Sequence, residues 1–415
     1  MANERWHLLS SWRWAQLDEL SEVISKGTTP TTFGVSFASE GIPFLRAEDI
    51  NGGAVDVNLV KFHINYETHS GVLRRSQLQS GDLLITIAGT LGRVGYVPGN
   101  IHQLNCNQAV AFVRLKSDLI HLPFACFALQ YDQVIAGLVD RQKVATIGNL
   151  NLEQIREFSI PLPPLPEQQR IAAILAKADR LRRLRRYTLD LGESYLQSVF
   201  WAMFGDSVTN PQRWELSTLG DEIEGFEAGI NFPPIAEGEK ASSWRVLKIS
   251  AVTWGDFDPK ESKPISQSSA FNELLKVRKG DLLISRANTT ELVGAVSMVR
   301  HIPPKVLLPD KLWRICFRDN SKLLPDYTLI ALRQPSIRKI IGDLATGSSG
   351  SMKNISMDKA STIPITLPPL PLQQKFTQIV HQYERLRAQQ REAVRQAEHL
   401  FQALLQRAFA GGVSL

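Results

Sequence analysis

The feature that most constrains this chain is a segment that occurs twice. LPPLPEQQRIAAILAKADRLRRLRRYTLDLGESYLQSVFWAMFGD runs from Leu162 to Asp206, and LPPLPLQQKFTQIVHQYERLRAQQREAVRQAEHLFQALLQRAFAGG runs from Leu367 to Gly412. Pro163 corresponds to Pro368 and Phe204 to Phe409, each 205 residues on, so the copies align without a gap. Each copy is a Pro-rich joint leading into a helical pattern of about 38 residues, roughly 57 Å of helix at 1.5 Å per residue. Pro166 and Pro371 fall in the first turn, where a missing N–H has no intrahelical partner to lose.

The helical reading rests on period. Phe376, Ile379, Tyr383, Leu386, Gln390, Ala393, Ala397, Leu400 and Leu404 alternate spacings of three and four. Ile171, Ile174, Ala178, Leu181, Arg185, Thr188, Gly192, Tyr195 and Val199 repeat the pattern in the first copy. A narrow heptad seam calls for a partner helix. The expectation is that the two seams pair with each other, with Arg185 and Gln390 as buried polar residues that fix register. The alternative is two amphipathic helices packed on separate cores.

The duplication extends beyond the helices. Trp12 and Leu17 recur as Trp214 and Leu219, and Gly27 recurs as Gly229. Leu45 and Arg46 correspond to Leu247 and Lys248, and the run GDLLI stands at 81–85 and again at 280–284. By simple offset Gly95 is matched to Gly294, Leu104 to Leu308, Arg114 to Arg318 and Asn149 to Asn354. The chain therefore reads as two copies of a unit of roughly 200 residues, each a globular part followed by a long helix. A chain of 415 residues also exceeds what one core usually organises. The expected segments are 1–161, 162–206, 207–366 and 367–415.

Each globular part reads as mixed α and β. Strands are expected at 94–97, 108–115, 295–299 and 312–317, and helices at 123–130 and 326–334. Long loops at 88–95, 141–150, 285–294 and 345–355 are where recognition residues would be carried. The net charge of +6 and a pI near 9.2 permit a polyanionic partner without demanding one. Cys106, Cys126 and Cys316 are scattered, which fits a reducing cytosol and no disulfide framework. No run of about 18 apolar residues suggests a membrane span.

No stretch carries an active-site pattern. GTLGRVG at 89–95 lacks the Lys-Ser or Lys-Thr ending of a nucleotide loop. Asn231-Phe232-Pro233-Pro234 has the wrong order for an adenine-methyltransferase motif and reads as a turn. Glu261-Ser262-Lys263 lacks an upstream Pro-Asp and reads as surface charge. The eight histidines show no ligand spacing. Arg180, Arg182, Arg183, Arg185 and Arg186 crowd the first helix and suit phosphates, a partner or solvent equally. The second helix dilutes that cluster, so it reads as unrepeated.

The twice-used joint, its long helix, the GDLLI run and the duplication together resemble the specificity subunit of type I restriction–modification enzymes. The resemblance covers both halves in order. It departs at Leu372, where a glutamate is expected, and after the second GDLLI, where Ser-Arg-Ala-Asn replaces a glycine loop. It implies an α+β chain of two similar target recognition domains separated by two long helices that pair as an antiparallel coiled coil. Each domain would read one half of a split, asymmetric site on double-stranded DNA. The helices would set the half-site spacing and dock two methyltransferase subunits, with restriction–translocase subunits joining them. S-adenosylmethionine, ATP and Mg would sit on those partners, and this chain would hold no cofactor and catalyse nothing. Arg46, Arg93, Arg141, Lys143, Lys248, Arg286 and Lys353 are the candidate DNA contacts. Ile171, Ile174, Ala178, Leu181, Tyr195, Val199, Phe376, Ile379, Tyr383, Leu386, Leu400 and Leu404 are the candidate pairing residues. Competing readings are the reader of a system with a fused methyltransferase–nuclease, a stand-alone enzyme, and a coiled-coil scaffold that binds no DNA.

Overall fold

A computed structural model describes residues 11–131, 149–301, 305–347 and 352–409. The chain forms two compact units. Residues 1–186 and 392–415 make the first, and 187–391 make the second. The long helices span Leu165–Phe204 and Leu370–Phe409, 40 residues each, so the division falls within both of them. The four expected segments follow secondary structure, whereas compactness groups each globular part with half of each helix.

The first unit contains a four-stranded antiparallel sheet in the order Ser21–Lys26, Val110–Leu115, Leu83–Thr86, Val94–Tyr96. Beside it a three-stranded sheet runs His63–Ile64, Ile42–Leu45, Asn105–Cys106, the last pair parallel. The second unit repeats this. Its four-stranded sheet is Ile223–Ala228, Leu312–Phe317, Leu282–Ser285, Val296–Met298. Its three-stranded sheet is Ser262–Ser266, Ala241–Leu247, Val306–Leu307. Helices Leu122–Gln130 and Pro325–Arg333 follow the corresponding central strands. The expected strands and helices are all present within a residue or two.

The GDLLI run is explained by a buried ion pair. Asp82 is fully buried and takes a two-pronged bond from Arg114, 2.9 Å on each prong, plus the Gln79 N–H at 2.7 Å. Asp281 accepts the Arg278 N–H at 2.7 Å and pairs with Arg314 at 3.0 Å. Strand register places Leu84 opposite Phe112 and Leu283 opposite Arg314, so Arg314 occupies the position of Phe112. The arginine has moved two residues along the strand and stays on the same face, because side chains alternate with period two. Matching Arg114 to Arg318 by offset is therefore incorrect. Register also pairs Gly95 with Ser297, and the partner of Gly294 is Gly92. Both turn glycines have positive φ and donate back to the strand end, Gly92 to Thr86 at 3.0 Å and Gly294 to Ser285 at 2.8 Å.

The joint is held by a glutamine. Gln168 is fully buried; its Oε1 accepts the His121 N–H at 2.8 Å, and its Nε2 donates to Leu119 O at 3.1 Å and Pro163 O at 2.9 Å. Gln373 makes the same three bonds, to Leu324 N–H at 2.9 Å and to Lys322 O and Pro368 O at 2.8 Å each. One amide side chain thus satisfies backbone groups at the start of the long helix and ahead of the shorter one.

Within each unit the two helix halves run antiparallel. In the second, Tyr195 lies 6.0 Å from Tyr383 while Phe200 and Phe204 lie 5.5 and 5.4 Å from Phe376. Phe204 also meets Tyr327 at 5.0 Å, and in the first unit Phe409 meets Phe124 at 5.4 Å in the matching place. Tyr327, pushed up to about 12 by burial, bonds Thr366 Oγ1 at 2.6 Å.

The expected seam needs correction. Ile171, Ala178 and Phe376 are buried, and Ile174, Val199, Ile379, Tyr383 and Leu404 are half-buried. Leu181 (40%), Tyr195 (50%), Leu386 (59%) and Leu400 (47%) are exposed, as is Arg185, which is no buried register residue. The buried line instead runs Phe376, Val380, Ala397, Phe401, Leu405. The helix ends join the globular cores: Ile171, Leu175 and Phe401 pack with the first unit's sheet, Phe200 and Phe376 with the second's. The alternative of helices packed on separate cores is thus part of the answer.

Candidate nucleic-acid interface

In the second unit the chain builds a cationic cleft. Lys248, Lys263 and Lys311 line a cavity of about 470 Å³ with Phe232 as its apolar wall and Asp310 as the one carboxylate among those lining residues. Lys263 Nζ donates to Phe232 O at 3.2 Å, so the Asn231–Pro234 stretch, expected as a turn but not forming one, positions the lysine. Lys248 pairs with Glu261 at 3.7 Å. A hydrogen bond from Ser250 and the nearby Lys248 hold the Glu261 carboxyl below the usual range. Glu261 and Lys263, expected as surface charge, belong to this cleft and its rim.

Backbone pairing brings two further candidates here. The Arg286 N–H donates to Lys311 O at 3.0 Å, and the Arg286 carbonyl accepts the Ile355 N–H at 2.9 Å. The next residues, Ala287–Asn288, pair antiparallel with Lys353–Asn354. Arg286, Lys311 and Lys353 therefore share one short patch of ladder. Arg286 Nε is buried with no hydrogen-bond partner, and its guanidinium makes no ion pair among the described residues. A half-buried cation with an unmet donor is costly unless an acceptor arrives. Base edges and phosphates are acceptors of that kind.

The first unit carries different side chains on the same scaffold. Its equivalent bonds are Ile87 N–H to Ala109 O at 2.8 Å and Leu150 N–H to Ile87 O at 2.9 Å. Apolar Ile87 and Ala109 thus stand where the second unit has Arg286 and Lys311. Arg46, which takes the place of Lys248, lies over the Phe62 ring at 4.7 Å and pairs with Glu48 at 3.2 Å. Arg93 donates to Asn51 Oδ1 at 3.3 Å, joining the loop that Arg46 opens. Burial raises the Asp49 carboxyl within that loop, against the bond it accepts from the Arg46 N–H. Arg141 and Lys143 lie outside the described residues. Lys263 and Lys311 are further candidates that the sequence reading did not include; only pairing of distant strands places them beside Lys248.

The arginine cluster is largely engaged with protein. Arg182 bonds Asp179 at 2.6 Å and Glu398 at 2.9 Å and lies 3.9 Å over the Phe401 ring. Arg183 bonds Asp179 at 2.8 Å, and Arg186 bonds Glu398 at 2.9 Å. In the second unit Arg387 and Arg391, 205 residues on from Arg182 and Arg186, share Asp256. The i, i+4 arginine pair is therefore repeated, contrary to the sequence reading. Beside it, Leu191, Gly192, Tyr195, Ile379, Tyr383 and Leu386 line an apolar groove of about 410 Å³ in the second unit.

Among the described residues no group of His, Cys, Asp and Glu is placed to hold a metal, and no helix is long and apolar enough to cross a membrane. The family described as "Type I restriction modification DNA specificity domain" matches residues 10–189 and 248–396. The EcoKI specificity subunit of Escherichia coli K12 is 25% identical over 94% of this chain and 88% of its own length. The EcoBI specificity subunit of Escherichia coli is 29% identical over 49% of this chain and 43% of its own. The crystal structure of a type I restriction–modification S subunit from M. genitalium has the same fold. It covers 98% of this chain and 97% of its own at 16% identity, with a TM-score of 0.57.

Proposed function

The chain belongs to the type I restriction–modification DNA specificity family, and from that premise we propose that it is the DNA-reading subunit of such a complex. Each unit reads one half of a bipartite site and catalyses nothing itself. The observation that carries this reading is that one scaffold, built twice, carries different chemistry at matching positions, a buried apolar residue in the first unit standing where the second has a half-buried cation. The second unit has Arg286 and Lys311 where the first has Ile87 and Ala109. A symmetric protein would read a palindrome; two unlike surfaces suit an asymmetric site. The exposed Leu181, Leu184, Tyr187 and Leu191 on the first helix, with Leu386 on the second, support docking of partner helices. Two methyltransferase subunits and restriction–translocase subunits are the partners we assign. S-adenosylmethionine, ATP and Mg belong on them.

The test is duplex binding with one half-site altered at a time across a salt series. Arg286→Ala and Lys353→Ala should impair one half-site, and Arg93→Ala and Lys143→Ala the other. An arginine gripping a guanine edge contributes about 1–3 kcal/mol of discrimination, whereas a phosphate contact weakens all sequences alike. Equal loss on every duplex, with only the salt slope changed, would make these residues phosphate anchors and overturn the base-reading assignment.

A further inference from the structure

The second unit holds a cavity of about 290 Å³ among Trp254, Asp256, Arg300, Arg333, Glu384, Arg387 and Arg391. Four guanidiniums face two carboxylates there. Arg387 grips Asp256 with two bonds, at 2.5 and 2.8 Å, and Arg391 shares the same carboxylate. Burial works against the Asp256 charge, yet these two arginines hold its carboxyl below the usual range. Arg300 is committed to Asp326 at 2.5 Å. Arg333, the last residue of helix Pro325–Arg333, makes no ion pair among the described residues. Its hydrogen bonds go to carbonyl oxygens only, Val296 O at 3.0 Å from Nη2 and 3.3 Å from Nε, and Gly255 O. Burial pushes its guanidinium down to about 10, against the nearby Asp256 and Glu384 charges, so it stays charged at neutral pH without a direct ion pair among the described residues.

The duplication separates what the fold needs from what is added. The helical arginines recur as Arg182 and Arg186, so both units carry them, whereas the Asp256 that Arg387 and Arg391 share belongs to the second unit alone. Helix Leu122–Gln130 ends on Gln130 where the second unit has Arg333. The loop before the positive-φ Gly53 and Gly255 carries Gly52 in the first unit and Trp254, 77% exposed, in the second. The residue after that glycine is Ala54 in one and Asp256 in the other. The same scaffold stands without Arg333, Trp254 and Asp256. Their gathering around one cavity is a feature of the second unit alone.

We propose that this cavity binds a phosphate group, held by Arg333 and Arg391 and walled by Trp254. The surplus of cations and the guanidiniums that line the cavity match phosphate oxygens. The phosphate comes either from a free anion or from a DNA strand, and the cavity chemistry is the same for both. The site is independent of the base-reading cleft around Lys248 and Arg286.

The experiment is calorimetric titration of the full chain with orthophosphate and, separately, with ATP, alongside Arg333→Gln and Arg391→Gln. The first substitution copies the glutamine that the first unit already carries at the matching position, Gln130. Exposed Arg391 supplies a second variant that keeps the question open should the first misfold. For a free anion, wild type binds both probes and each variant weakens them, Arg333→Gln by about tenfold or more. For a DNA phosphate, neither free probe binds, while Arg333→Gln lowers the salt slope of duplex binding by about 0.9. Wild-type binding of the probes by both variants would overturn the proposal. So would the absence of free-anion binding together with an unchanged salt slope.

Discussion

Replacing Gln373 with methionine, nearly its size, isolates what the joint amide does. The side chain is fully buried and makes three bonds of 2.8 to 2.9 Å to backbone groups of Leu324, Lys322 and Pro368. Each bond contributes about 0.5–1.5 kcal/mol net, and a buried group left unpaired costs about 1–3 kcal/mol. Some of the freed carbonyls will find water, so the loss is about 3–4 kcal/mol rather than the full sum. For a unit of this size that is a fall of roughly 6–16 °C in Tm at about 2–4 °C per kcal/mol. Hydrogen exchange gives the location: the Leu324 N–H should lose protection, and the first turns of helices Pro325–Arg333 and Leu370–Phe409 should exchange faster. Gln168→Met should do the same to His121 and the start of helix Leu165–Phe204. A loss below about 0.5 kcal/mol, with unchanged exchange at these amides, would refute the view that this glutamine fastens the joint.

Three further outcomes follow from the same structure. Leu181→Asp with Leu386→Asp should leave Tm within about 1 °C, because both side chains are exposed, yet abolish co-elution with methyltransferase subunits in gel filtration. Gly27→Ala and Gly229→Ala should each prevent their unit from folding, read by circular dichroism, since a Cβ would stand 2.1 Å from Cys106 O and 1.9 Å from Leu308 O. The Asp256 carboxyl is depressed in the folded chain, so its stabilisation is present above the unfolded carboxylate value of about 3.9 and is lost as pH falls through the lower folded value. Asp256→Asn should therefore lower urea midpoints at about pH 6 and converge on wild type as the acid limit is approached.

What can be read from the sequence is whatever local chemistry writes in a fixed register. The two joints align without a gap because Gln168 and Gln373 must each reach three fixed backbone groups. GDLLI recurs because its aspartate must be buried against an arginine. The errors arise where three-dimensional pairing overrides counting. Thr86 to Gly92 spans three residues fewer than Ser285 to Gly294, and the offset carried across that turn misplaces Gly95 against Gly294. Arg114 and Arg314 show that a pair can be kept while its strand position is not. The seam falls a residue off at Ile174, Ile379 and Leu404 because the helix ends pack on the globular cores through Leu175, Val380 and Leu405, which a heptad count ignores.

The candidate interface is half legible for a related reason. Lys248, Arg286 and Lys353 stand out as cations in or beside loops, but nothing local joins them. Lys263 and Lys311 enter only through the pairing of Ser262–Ser266 with Ala241–Leu247 and the bond from Arg286 to Lys311. The duplicated chain offers its own control for sorting such residues. A residue kept at matching positions, such as Gln168 and Gln373 or Gly27 and Gly229, answers to geometry that both units share. A residue that changes while its backbone bonds persist, as buried Ile87 does to half-buried Arg286 and Ala109 to exposed Lys311, has a side chain that the shared backbone does not dictate. Under the proposed reading, in which the two halves recognise different things, that freedom marks Arg286 and Lys311 ahead of Arg182 and Arg387 as candidate determinants of what is bound.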